Sequence, residues 1–212
     1  MNHTHRAIHA LIFDYGGVLM RTESQASREQ LCRRLGLTLP QLYHLVFEGE
    51  DSQLVQLGRM TPDQRWERIG QQLGLRSREE ALALRREMFA GDVLDQDLVA
   101  YIRRLHGRFK TALLSNATLR LVSTLRDDLH IEDCFDVIVI SAQVGLMKPD
   151  PAIYHLTLDR LGVTPQQAVF IDDMLENVAA AMALGMRAIC FTSRNALLKE
   201  LQPLLQASEP QT

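Results

Sequence analysis

Five short apolar runs punctuate this chain, and three of them stop at a side chain able to do chemistry. Residues 7–13 end at Asp14, 111–114 at Ser115, and 168–171 at the pair Asp172 and Asp173; runs 137–140 and 188–191 complete the set. A run this apolar, without polar alternation, suits a parallel strand covered on both faces. Between the later runs, apolar residues recur at helical spacing over 119–129, 152–161 and 175–184. A last helical stretch, 196–205, is interrupted by Pro203. Strand and helix therefore alternate from about residue 97 onward, the pattern of βαβ units and an α/β fold with a parallel sheet.

Residues 20–93 break that alternation and read as helices only, over 24–35, 40–47, 52–57, 62–73 and 78–89. Thr61 and Pro62 form a helix start, an N-cap hydroxyl followed by proline at the first position. Ser77 is expected to cap the next helix, with Glu80 completing a capping box. With 212 residues the chain has room for one core and a smaller subdomain. The division read here is a core of 1–19 and 94–212 and an all-helical cap subdomain of 20–93.

The charge balance, 23 Lys plus Arg against 26 Asp plus Glu, gives a net charge of −3. That provides no basic field for nucleic acid or a membrane surface. No apolar run approaches membrane-spanning length, and the polar N-terminus lacks the apolar core of a signal peptide. Cys32, Cys134 and Cys190 are odd in number and widely spaced, which argues for a reducing compartment, the cytoplasm, over a disulfide framework. His3, His5 and His9 read as part of a frayed end, not a metal site.

In open α/β sheets ligands bind at the carboxyl ends of the strands, where Asp14, Ser115, Asp172 and Asp173 are all placed. Asp14 is the candidate nucleophile, and Gly16 and Gly17 after it expose backbone to a phosphate and a metal. Ser115 and Asn116 offer a hydroxyl and main-chain N–H groups to phosphoryl oxygens. Lys148, stiffened by Pro149 and Pro151, offsets the charge of Asp14 and of a transferred phosphate. Asp172 and Asp173 repel one another unless a cation lies between them; oxygen-only ligands with Asp14 opposite suit Mg²⁺. Asn177, one helical turn beyond Asp173, faces the same end and can orient a ligand. Trp66, Tyr43, Phe47 and Phe89 are read as cap packing, and Asp92, Asp95 and Asp97 as the start of a helix. The small residues of 178–183 allow close helix–sheet packing.

The segments Phe13-Asp14-Tyr15-Gly16-Gly17-Val18-Leu19, Leu114-Ser115-Asn116-Ala117, Lys148-Pro149-Asp150-Pro151 and Phe170-Ile171-Asp172-Asp173 resemble, in order, the four motifs of the haloacid dehalogenase-like (HAD) hydrolase superfamily. The resemblance spans residues 11–190 and extends to a following helix ending at Leu184-Gly185-Met186. It is nearest in texture to sugar-1-phosphatases and the N-terminal phosphatase domain of soluble epoxide hydrolases. It implies a doubly wound sheet of order 5-4-1-2-3 with a cap inserted after the first motif. It also implies attack by Asp14, an aspartyl-phosphate intermediate and hydrolysis by water. Mg²⁺ would be bound by the Asp14 carboxylate, the Gly16 carbonyl and Asp173, with Asp172 acting through water; Ser115 and Lys148 would hold the phosphoryl group.

One position departs from the common pattern. Most phosphatases of this family carry a general acid two residues after the nucleophile, where this chain has Gly16. Such a group is worth about 10²–10⁴-fold, so slow turnover or substrates with easy leaving groups are expected, with Glu23 as a substitute acid to be checked. The reading is a Mg²⁺-dependent phosphatase of small phosphorylated metabolites, monomer or homodimer. The alternatives are a 2-haloacid dehalogenase, a branch that usually has Tyr at the Gly16 position and needs no metal, and a catalytically silent phosphometabolite-binding module.

Overall fold

The computed structural model describes residues 7–207; His3, His5 and the polar tail 208–212 lie outside them. Seven strands form: β1 (Ala10–Phe13), β2 (Met20–Thr22), β3 (Asp92–Leu94), β4 (Lys110–Ser115), β5 (Val137–Ile140), β6 (Ala168–Asp172) and β7 (Arg187–Cys190). Five of them make one sheet, β5-β4-β1-β6-β7, parallel at every pairing. Numbered by themselves in chain order, the five core strands lie 5-4-1-2-3 from the other edge, the arrangement expected.

The sheet is covered on both faces, which explains the near-continuous apolar runs. Leu11 and Phe13 point to one layer, with Leu113, Val169 and Ile171. There they meet α6 (Gln96–Leu105), α7 (Arg120–Ser123) and α11 (Arg194–Gln206). Ala10 and Ile12 point to the other, against α9 (Pro151–Leu161) and α10 (Leu175–Ala183). Each large side chain buried there contributes about 1.5–3 kcal/mol. α7 continues into a π-helical turn, Thr124–Asp128, within the stretch read as one helix. Contrary to expectation, Pro203 does not interrupt α11. Its ring suits helical φ, and Leu201 and Leu205, one turn apart and both buried in the first layer, hold the last turns against the sheet.

Between β2 and β3 lie α1 (Ala26–Leu35), α2 (Leu39–Phe47), α3 (Glu50–Gln56), α4 (Pro62–Gln72) and α5 (Arg78–Met88). They pack around an apolar centre of their own, including Leu31, Leu42, Trp66, Ile69 and Met88. Thr61 caps α4 in a full capping box with Gln64. Ser77 caps α5 through Glu80 N–H, but the Glu80 carboxylate accepts from Arg76 N–H (2.8 Å) and so forms no box with Ser77. The two ends of the insert are not helical. β2 and β3 pair antiparallel, Thr22 opposite Asp92; strands of three residues are too short to show a period in sequence. Asp92 therefore belongs to this ribbon and not to a helix start. It accepts hydrogen bonds from Thr22 Oγ1 (2.6 Å) and Arg28 (2.7 Å). Asp95 does cap α6, through Leu98 N–H. The aromatic expectation holds: Trp66 is buried, and Phe47 and Phe89, though partly exposed, pack on one another and on Tyr43 and Trp66. All three cysteines are free, and no helix among the described residues is long and apolar enough to cross a membrane.

Candidate active site

Strand register assembles the site. Phe13 lies level with Leu113 of β4 and Ile171 of β6, so one step further places Asp14 beside Leu114 and Asp172, at the carboxyl edge of the sheet. Asp14 leaves β1 with its N–H bonded to Ile171 O (2.9 Å). Its Oδ1 accepts from Tyr15 N–H (2.7 Å). The chain then turns back tightly, Gly17 N–H bonding to Met20 O (2.9 Å).

Lys148 arrives from the turn that precedes α9 and is 2 % exposed. Its ammonium lies 2.9 Å from Asp14 Oδ1 and donates to Asp172 Oδ2 (2.6 Å) and Leu114 O (3.1 Å). Its three donors thus have three acceptors. The Asn116 side chain fixes this lysine. Its Nδ2 donates to Lys148 O and its Oδ1 accepts from Lys148 N–H, both at 2.8 Å. The expectation for Asn116 concerned its main-chain N–H; its side-chain amide is committed to Lys148. That tether is invisible in sequence, because an Asn after a strand looks like any turn residue.

Asp172 is wholly buried and engaged at both oxygens. Oδ1 accepts from Met174 N–H (2.8 Å) and Asn177 Nδ2 (3.0 Å), and Oδ2 from Lys148 and Asn177 Nδ2 (3.1 Å). Asn177 thus faces the site as expected and orients Asp172. Its own carbonyl accepts from Tyr154 Oη (3.0 Å), a support that sequence reasoning missed. Ser115 is buried at the end of β4. Glu23 is exposed just past β2, its N–H bonded to Gly91 O (3.0 Å), and takes no part in the hydrogen-bonded cluster.

The electrostatics favour a cation. Burial, offset in part by Lys148 and reinforced by Asp172, lifts Asp14 to about 6. Burial and then the Asp172 charge also raise Asp173. Asp14, Asp172 and Asp173 each offer a carboxylate oxygen within 4.8 Å of the others, and one ammonium cannot neutralise three carboxylates. An all-oxygen set with excess negative charge fits a hard divalent ion. The two glycines behind Asp14 differ. Gly17 has φ +76°, and a β-carbon there would lie 2.1 Å from Asp173 Oδ2, whereas a β-carbon on Gly16 meets nothing within 4 Å.

A parallel sheet thus carries a buried carboxylate and lysine at its carboxyl edge, beside an acidic cluster able to hold a metal ion. The profile of the haloacid dehalogenase-like hydrolases matches residues 8–185, and the chain belongs to that family. It is 30 % identical to the sesquiterpene phosphatase astK of Aspergillus oryzae over 199 residues, 92 % of this chain and 96 % of that protein. Over 77 residues it is 36 % identical to mouse bifunctional epoxide hydrolase 2, covering 36 % of this chain and 14 % of that protein. Among solved structures it resembles the HAD family enzyme bt-2542 of Bacteroides thetaiotaomicron in complex with magnesium and inorganic phosphate. That match has a TM-score of 0.71 at 21 % identity, over 90 % of this chain and 99 % of that one.

Proposed function

We propose that this chain is a Mg²⁺-dependent phosphatase of small phosphorylated molecules that works through an aspartyl-phosphate on Asp14. The observation that carries the reading is the junction of Asp14, Lys148 and Asp172 at one strand edge, with Asp173 alongside. Relatives named as phosphatases support it. Ser115, the Asn116 main chain and Lys148 hold the phosphoryl oxygens. Oδ1 of Asp14 is tied to Tyr15 and Lys148, which leaves Oδ2 to attack phosphorus as the ester P–O bond breaks and the alcohol departs, its oxygen taking a proton from water. Water then attacks the same phosphorus, the bond to Asp14 breaks, and phosphate leaves with the water's proton given to solvent. Asp14, the Gly16 carbonyl and Asp173, with Asp172 through water, would hold Mg²⁺, which supplies positive charge to the phosphoryl oxygens.

The helical insert, 20–93, acts in this reading as a cap subdomain over the core of 1–19 and 94–212, and the free cysteines support a cytoplasmic setting. The acidic cluster disfavours a haloacid dehalogenase, whose displacement at carbon needs no cation. The deciding experiment is hydrolysis of p-nitrophenyl phosphate with Mg²⁺, with EDTA, and by Asp14→Asn. Metal-dependent turnover lost in the variant supports the proposal; turnover indifferent to both removes it.

A further inference from the structure

Ser141 carries a fully buried hydroxyl that takes no part in the carboxylate–lysine cluster. It follows β5 and opens a single helical turn, α8 (Ser141–Val144). A serine at a helix start commonly bonds to main-chain groups of its own first turn. Both hydrogen bonds of the Ser141 side chain instead go to Ala117. Its Oγ accepts from Ala117 N–H (3.0 Å) and donates to Ala117 O (3.2 Å), the full use of one hydroxyl proton and one lone pair. Ala142 N–H adds a third bond to Ala117 O (3.3 Å). The polar main-chain groups of Ala117 are thus both held by α8.

Ala117 closes the segment that begins at Ser115. Ser115 lies level with Ile140 of β5, so the two chains leave adjacent strands side by side. Three consecutive residues are then fixed in three ways. Ser115 is held by strand pairing, Asn116 by its side chain on the Lys148 main chain, and Ala117 by the Ser141 side chain on its own main chain. With the Asn116 amide and the Ala117 main chain committed, the Ser115 hydroxyl and the Asn116 N–H are the donors of this segment that the phosphatase reading assigns to phosphoryl oxygens.

A residue that positions others must itself be held. Gly145, left-handed at φ +68°, closes α8 with its N–H on Ser141 O (2.8 Å). The insert presses on the same turn, since a β-carbon on Gly58 would lie 2.4 Å from Ala142 O. Strand β5 and the insert therefore fix the turn from which Ser141 reaches the loop, and packing this close transmits displacement instead of absorbing it.

Resting on the phosphatase reading above, we infer that Ser141 is a positioning residue for phosphate binding. Acting through Ala117, its hydroxyl sets the Ser115–Ala117 segment at the sheet edge and so the aim of the Ser115 hydroxyl and the Asn116 N–H. The three carboxylates reach the same edge from β1 and β6, on strands that α8 does not follow. A change at Ser141 therefore separates phosphate binding from metal binding.

The test compares Ser141→Ala, which removes both bonds, with Ser141→Cys, which keeps a side chain of similar size but a weak donor and acceptor. Thr157→Val is the control, because Thr157 is an equally buried hydroxyl bonded within α9 to Ile153 O (2.8 Å). The measurements are the inhibition constant of inorganic phosphate and KM for p-nitrophenyl phosphate with Mg²⁺, Mg²⁺ affinity by titration calorimetry, and the urea midpoint. In both serine variants the phosphate inhibition constant and KM are expected to rise about 5–10-fold, with Mg²⁺ affinity unchanged. Thr157→Val should lose stability and keep both phosphate constants. A phosphate inhibition constant unchanged in either serine variant, an equal loss of Mg²⁺ affinity, or an equal rise in Thr157→Val overturns the inference and leaves the phosphatase reading intact. Absence of metal-dependent turnover in the unaltered chain overturns the phosphatase reading itself.

Discussion

The Asp173 carboxylate occupies the space that a side chain on Gly17 would need: a β-carbon there would stand 2.1 Å from Oδ2. The glycine is thus a condition for the acidic cluster and not merely a turn residue. Gly17→Ala adds the cost of a left-handed backbone, of order 1 kcal/mol or more, and pushes Asp173 outward. Its Mg²⁺ affinity, read by titration calorimetry, is expected to fall at least about tenfold; unchanged affinity would show that Asp173 is not a ligand.

Gly16 is the opposite case, with open space where a side chain would go and φ outside the left-handed range. Gly16→Asp should therefore fold and place a carboxyl beside the leaving group. Turnover of alkyl monophosphates is expected to rise about 10-fold or more, while p-nitrophenyl phosphate, whose leaving group needs little protonation, changes far less. Equal effects on the two substrates would sink the missing-acid argument.

Asp14 has a cost in stability that its chemistry requires. Its carboxyl is lifted from 3.8 to about 6, so the folded, Mg²⁺-free protein holds this proton more tightly than the unfolded chain does. The associated stability is complete below about pH 4 and is lost as pH rises to about 6, amounting to ~1–3 kcal/mol above that. In EDTA, Asp14→Asn should unfold at higher urea than the unaltered chain near neutral pH and at the same urea below about pH 4. A variant no more stable at neutral pH would mean the buried carboxylate is already compensated.

Asn116→Ala removes both hydrogen bonds that fix the Lys148 main chain. A loss of about 1–3 kcal/mol of stability is expected, with kcat reduced and Mg²⁺ affinity retained, because the lysine loses its position while the carboxylates stay. If KM alone moves, Asn116 contacts substrate and does not position Lys148.

Part of this arrangement is legible in the sequence alone. Asp14, Ser115 and the Asp172-Asp173 pair were legible because each ends an apolar run, and strand ends are where an open sheet places ligands. Lys148 needed its Lys-Pro-Asp-Pro setting and the family resemblance, since an isolated loop lysine carries no such signal. The support around it, Asn116 on its main chain and Tyr154 behind Asn177, depends on contacts between residues far apart in the chain, and no local pattern records those. Asp92 was misplaced because a run of three acidic residues within six positions resembles a helix start; only its pairing with Thr22 and Arg28 reveals a strand.

The short ribbon of β2 and β3 alters what kind of object the insert is. Thr22 and Asp92 are cross-strand partners, so everything from Glu23 to Gly91 is, topologically, the loop of a β-hairpin. Closing such a loop costs entropy that grows only with the logarithm of its length. The helices can therefore be lengthened, exchanged or cut back to a tight turn while β1 and β4 keep their register, and the sheet edge that holds Asp14 need not notice.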